Sequence, residues 1–134
     1  MTHLLDTHVW IKRALGEPVP PLVDQTLIRH AETLALADIS LWEAAKLVEL
    51  GRLQLSIPLP EFFRLAITPE LTVLPVTPAI AERVTALEAS GFHKDPADQL
   101  IVATALVHGL RLISDDARIR QWGGVPMLWR TSRK

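Results

Sequence analysis

The sequence predicts an α/β domain in which a central, mostly parallel β-sheet is flanked by α-helices. Three observations carry this. Short apolar runs of strand length alternate with segments of helical spacing along the whole chain. The links between them are short, as crossover connections in a parallel sheet are. No repeat, low-complexity tract or linker divides the 134 residues, so 1–134 reads as a single domain.

The elements follow in order. Residues 3–6, His3-Leu4-Leu5-Asp6, are short and apolar and end in an acid. Residues 7–15 read as a helix opened by a polar residue, and Gly16 with Pro18, Pro20 and Pro21 breaks it. Helical spacing resumes over 22–31, and 33–37 form a second apolar run. Residues 40–50 make a helix ended by Gly51, the residue type expected just past a helix C-terminus. A loop over 52–60 leads to a helix at about 61–67, and 71–76 is the third strand. Pro78 opens a helix that runs to Ala89 and stops at Gly91; Asp95-Pro96 opens the next, closed by Gly109. The fourth strand, 110–114, a short helical piece from Asp116 and a last apolar segment, 125–129, finish the chain.

Composition narrows the chemistry. There is no cysteine, which excludes disulfides, thiolate metal sites and cysteine nucleophiles. A metal site must then use oxygen or imidazole, and oxygen favours magnesium, manganese or calcium. The start, MTHLLDTHVW, lacks the basic-then-apolar pattern of a signal peptide, and no stretch approaches the roughly 18 apolar residues of a membrane span. A cytoplasmic protein with no membrane contact is expected. The net charge of −1 is unevenly spread: residues 1–110 carry 8 basic and 13 acidic side chains (−5), residues 111–134 carry 6 and 2 (+4). The basic tail, about 130–134, suits either a phosphate backbone or plain solvation.

In open parallel sheets, sites form at the carboxyl ends of the strands. Sorted by that rule, Asp6 ends the first strand, and Asp115 and Asp116 follow the fourth. Glu43 and Asp98 each fall in the first turn of a helix, the former directly after the second strand. Four acids from distant parts of the chain can thus reach one edge. Carboxylates packed together repel unless a cation sits among them, and magnesium suits one to four such ligands plus water.

Each acid also has a plainer role open to it. Ser40-Leu41-Trp42-Glu43 matches a capping box, with Glu43 hydrogen-bonding back to Ser40. Asp95-Pro96-Ala97-Asp98 matches an N-cap, a proline at N1 and an acid favoured by the helix dipole. Asp6 is harder to explain structurally, because a charge directly after a buried apolar strand needs a partner.

Four segments, Leu4-Leu5-Asp6-Thr7-His8-Val9-Trp10, Ser40-Leu41-Trp42-Glu43-Ala44-Ala45-Lys46-Leu47, Asp95-Pro96-Ala97-Asp98-Gln99-Leu100-Ile101-Val102-Ala103-Thr104-Ala105 and Leu112-Ile113-Ser114-Asp115-Asp116, together resemble the PIN-domain nucleases, in particular the VapC-type toxins of toxin–antitoxin pairs. The resemblance implies a PIN-like fold. It aligns Asp6, Glu43 and Asp98 with the family's three central acids and Asp116 with the fourth, Asp115 being its rival. It further implies a ribonuclease that uses magnesium or manganese to direct water at an RNA phosphodiester, a homodimer, and silencing by a VapB-like antitoxin. Two departures stand out. His93-Lys94 precedes the third segment where the family often has His-Arg, and Gln99 follows Asp98 where the family often has arginine.

Around the acids, Ser114 can orient a ligand through its hydroxyl or satisfy backbone groups at a strand end. Lys46, at i+3 from Glu43, is expected to pair with that acid. His8 and His93 lack the spacing of metal ligands, and Trp10, Trp42 and Trp129 read as core or interface. Two other functions share the fold class: a catalytically weak interaction or repressor partner with the PIN fold, and a magnesium-binding receiver-like signalling module. The second needs an acid pair after the first strand and an acceptor after the third, and neither is present.

Overall fold

A computed structural model describes residues 1–129; the basic tail, 130–134, lies outside the described residues. The strands are β1 (His3–Leu5), β2 (Leu34–Ala37), β3 (Thr72–Leu74), β4 (Arg111–Ile113) and β5 (Met127–Leu128). The helices are α1 (Thr7–Leu15), α2 (Pro21–Arg29), α3 (Ile39–Glu49), α4 (Leu59–Ala66), α5 (Pro78–Ala89), α6 (Pro96–His108) and α7 (Ala117–Trp122). One sheet in the order β3-β2-β1-β4-β5 holds the strands, and every neighbouring pair is parallel. The expected mostly parallel sheet is therefore parallel throughout. Its order also differs from the 2-1-3-4-5 order of receiver-like folds, which removes that alternative.

The pleat explains the apolar runs. Leu4, Ala35, Ala37 and Leu112 face one core, closed by α5, α6 and α7 with Ile80, Leu87, Ile101 and Ile119. Leu5, Leu36 and Ile113 face a second core around Trp10, Val23 and Phe62. Side chains alternate across a strand, so sheet positions buried on both faces read as continuous apolar stretches rather than alternating ones.

Boundaries shift where proline decides them. The fourth helix begins at Leu59 rather than 61, because Pro58 takes the cap position and Pro60 lies in the first turn, where a missing N–H costs nothing. The third strand stops at Leu74, because Pro75 offers no donor to continue the ladder. A helix closes at its glycine as expected in α6, where Gly109 takes φ +67° and donates back to Ala105 and Leu106.

Candidate active site

Because all five strands run the same way, the residues that follow them share one edge. Asp6 follows the central strand β1, Ser114 follows β4 and Trp129 follows β5. The Asp6 amide still belongs to the ladder, donating to Ile113 O at 3.0 Å. Its carboxylate then opens α1: Oδ1 accepts from the His8 amide at 3.3 Å, and Oδ2 accepts from Ser114 Oγ at 2.5 Å. Only 8% of Asp6 is exposed. Burial pushes its carboxyl above the usual range, the Ser114 hydroxyl and His8 oppose this, and the Asp116 charge adds to it.

Glu43 is held by a hydroxyl. Thr7 Oγ1, fully buried in the first turn of α1, donates to Glu43 Oε1 at 2.5 Å and lies 2.7 Å from Ser40 Oγ. This corrects the capping-box alternative. Helix α3 begins at Ile39, so Ser40 sits inside it, and the Ser40 hydroxyl turns to Thr7 rather than to the helix start. Burial raises the Glu43 pKa, the Thr7 bond opposes it, and the charges of Asp6 and Asp98 raise it further.

Asp98 lies in the first turn of α6, capped as expected by Asp95, whose Oδ1 accepts from the Asp98 amide at 3.1 Å. Its Oδ2 meets His93 Nε2 at 2.7 Å and accepts from Arg118 Nη2 at 3.3 Å. Here too burial raises the pKa, His93 opposes it, and Asp95, Asp116 and Asp6 add to it. Asp116 caps α7 through Oδ1, and its amide donates to Ser114 Oγ at 3.0 Å. Asp116, not its exposed neighbour Asp115, is the fourth charge acting on both Asp6 and Asp98.

Ser114 therefore does both things open to it, orienting Asp6 and satisfying a backbone donor. Lys46 does not pair with Glu43. Its Nζ lies 2.6 Å from Glu49 Oε1, on the exposed side of α3, because Glu43 is turned inward to Thr7. Sequence reasoning missed Thr7, His93 and Arg118 as partners of the acids. A hydroxyl directly after Asp6 was a readable signal for Thr7. Arg118 supplies Asp98 with the guanidinium that the residue after it lacks, but from α7, a contact no local pattern announces. Gln99 is instead buried and structural: Nε2 donates to Glu88 Oε2 at 2.9 Å and to His93 O at 3.1 Å.

The donor set fits a hard divalent cation. It is all carboxylate and hydroxyl oxygen, and burial raises the pKa of three of the carboxyls, with the Asp6 charge adding to this at Glu43 and Asp98. Among the described residues, no three acidic or histidine side chains converge as a closed metal cage. Each acid is drawn instead to its own donor: Ser114, Thr7, or His93 with Arg118. Magnesium keeps several waters and asks for one or two carboxylates, so an open arrangement suits it.

Residues 3–125 match the PIN domain family. The chain belongs to it. A curated relative, Ribonuclease VapC22 of Mycobacterium tuberculosis, is 39% identical over 119 residues, covering 89% of this chain and 90% of that protein. Among solved structures, a chain of VapBC2 from Rickettsia felis bound to a DNA fragment from their promoter matches with a TM-score of 0.71 at 15% identity, over 97% of this chain and 100% of that one. A chain of DNA-bound VapBC from Salmonella typhimurium gives 0.70 at 18% identity, over 96% and 97%. A chain of a toxin–antitoxin complex from Klebsiella pneumoniae gives 0.68 at 22% identity, over 95% and 96%. These three show that the PIN fold extends over the described sheet and helices. The family expected from the four acidic segments is the right one.

Proposed function

We propose that this PIN domain protein is a metal-dependent endoribonuclease, the toxin of a toxin–antitoxin pair. The observation that supports the reading is that Asp6, Glu43, Asp98 and Asp116, from four separate elements, lie near enough at one sheet edge for the Asp6 charge to act on Glu43 and Asp98 and the Asp116 charge on Asp6 and Asp98. The 39% identical ribonuclease relative supports it.

Asp6, Glu43, Asp98 and Asp116 would hold magnesium or manganese. Such an ion, when bound, polarises a phosphodiester, activates water and stabilises the leaving oxygen. The chain's own part is orientation. Ser114 and the His8 amide hold the two Asp6 oxygens; Thr7, itself paired with Ser40, holds Glu43. Arg118, 60% exposed at its side chain, lies beside Asp98 as a cation for substrate phosphate. The partners follow from the same reading: an RNA substrate, a VapB-like antitoxin as in the solved VapBC complexes, a second copy of this chain, and a cytoplasmic setting. Among the described residues no helix is long and apolar enough to cross a membrane.

The test is direct. Purified protein with magnesium or manganese should cut structured cellular RNA, and chelation should stop it. Asp6→Asn and Asp98→Asn should each lower the rate roughly a hundredfold or more. Asn variants that remain as toxic as wild type on expression, with no cleavage of any cellular RNA in vitro, would defeat the reading. A short neighbouring frame encoding a small DNA-binding protein should supply the antitoxin, and its product should abolish cleavage.

A further inference from the structure

Asp98 takes two partners from segments that have little of their own to hold them. His93 lies in the irregular connection 90–95 between α5 and α6, and Arg118 lies in the six-residue helix α7. Both reach the same oxygen, Oδ2, at 2.7 and 3.3 Å. A helix of about one and a half turns is not stable by itself, and within α7 only Ile119 is buried. A helix pinned at one residue can still turn about it, and that turn would swing Arg118 away from Asp98.

We propose that Trp122 is a positioning residue of the active site: it ties α7 to the α5–α6 connection and so holds Arg118 beside Asp98, ready for the RNA phosphate. The proposal rests on the ribonuclease reading and adds to it a residue whose own bonds lie away from the acids.

The tie has two parts. Trp122 Nε1 donates to Ser90 Oγ at 3.2 Å, and that hydroxyl donates in turn to Leu87 O at 2.8 Å, in the last turn of α5. The indole also meets Phe92 edge to face, with ring centroids 5.0 Å apart and planes at 86°, a favoured aromatic geometry. Phe92 is buried and stacks on the His93 ring at 4.3 Å and 24°. Trp122 and Arg118 stand four residues apart, one turn of α7, on the same side of the helix. The contacts therefore close a circuit: Trp122 to Phe92, to His93, to Asp98, to Arg118, and back along α7. Such a circuit fixes the rotation of α7 as well as its position.

The chain just past α7 supplies an independent observation. Gly123 takes φ +77° to close the helix, but Gly124 has no such backbone requirement. Space alone demands glycine there, because a Cβ at position 124 would run into the Trp122 ring. The backbone is built closely round the indole at this one place.

A double-mutant cycle on the cellular RNA that wild type cuts, end-labelled and with magnesium present, tests the tie. Arg118→Ala and Trp122→Leu should each raise KM roughly tenfold, more than they lower kcat. In the Arg118→Ala background, Trp122→Leu should add less than about a further twofold, because the cation it positions is gone. Trp122→Phe keeps a ring edge against Phe92 and should recover most of the loss. Gly124→Ala displaces the indole without deleting it, and should repeat the Trp122→Leu result even if that variant does not fold. Amide exchange in chelator reads the same tie without cleavage. In Trp122→Leu, or in Gly124→Ala, the Phe92 and Asp98 amides, bonded to Leu87 O and Asp95 Oδ1, should exchange faster together with those of Arg120 and Gly123. A packing role confined to α7 would quicken only the last two. The proposal is overturned if KM is unaltered, if the two losses multiply independently, or if exchange at Phe92 and Asp98 is unchanged. If wild type cuts no RNA, the ribonuclease reading falls, and the exchange measurement alone decides the tie.

Discussion

Ser114→Ala removes one hydroxyl that serves two partners. The side chain is fully buried, donates to Asp6 Oδ2 at 2.5 Å and accepts from the Asp116 amide at 3.0 Å. A hydrogen bond to a charged group contributes about 1.5–3 kcal/mol and a neutral one about 0.5–1.5 kcal/mol. Water enters poorly where Asp6 is 8% exposed, so little is recovered, and a loss of about 3 kcal/mol is expected. For 134 residues the unfolding entropy is about 0.28 kcal/mol/K, so the midpoint should fall by roughly 10 °C. Calorimetry in chelator at neutral pH measures it, with Ser114→Thr as the control that keeps the hydroxyl. The same variant should need roughly 10–100 times more magnesium for half-maximal cleavage, the usual effect of losing a hydrogen bond to a ligand. If Ser114→Ala melts within about 3 °C of wild type, the hydroxyl does not anchor Asp6 and the site's geometry must come from elsewhere.

Other outcomes are equally specific. Asp6, Glu43 and Asp98 hold protons in the folded protein to higher pH than in the unfolded chain, so without metal the folded state gains stability at mildly acid pH and loses it as pH rises from the ordinary carboxylate range through the raised values; thermal scans in chelator should show this loss, Asp98→Asn should reduce it, and stability that climbs steadily with pH would contradict it. Trp10→Ala should cost about 3–5 kcal/mol in denaturant unfolding, since Trp10 is fully buried against Phe62 and its Nε1 donates to Ala66 O at 2.9 Å. Gln99→Leu should destabilise by about 1–2 kcal/mol and speed amide exchange around His93, because it cuts the bonds from Gln99 to Glu88 and to the His93 carbonyl; unchanged protection there would place the support of His93 elsewhere.

Much of the fold was legible because its rules are local. Apolar runs buried on both faces, prolines at helix starts and glycines past helix ends are each decided within a few residues, and they located four of the five strands and the seven α-helices of the described residues to within a few positions; the two-residue β5 was read only as an apolar segment. Asp6 was legible for the same reason, as a charge at the end of a buried strand. Glu43 was not decisive from its own segment, because Ser40-Leu41-Trp42-Glu43 satisfies a helix-start pattern that the real helix, beginning at Ile39, does not use. What tells the two apart is Thr7, distant in sequence and adjacent in space. Arg118 beside Asp98 and Trp129 beside Asp116 depend wholly on the strand order. No spacing in one segment encodes which strands become neighbours.

The central position of β1 bears on when Asp6 is fixed in place. The first strand made is flanked on one side by β4, nearly the last, and the bond that fixes Asp6 spans 108 residues. A chain synthesised only through α6 carries Asp6, Glu43 and Asp98 but neither Ser114 nor Asp116. Because chains emerge N-terminal end first, the Ser114 hydroxyl that holds Asp6 is present only once β4 has been made. A copy that stops at α6 therefore carries the Asp6 carboxylate without the hydroxyl that orients it.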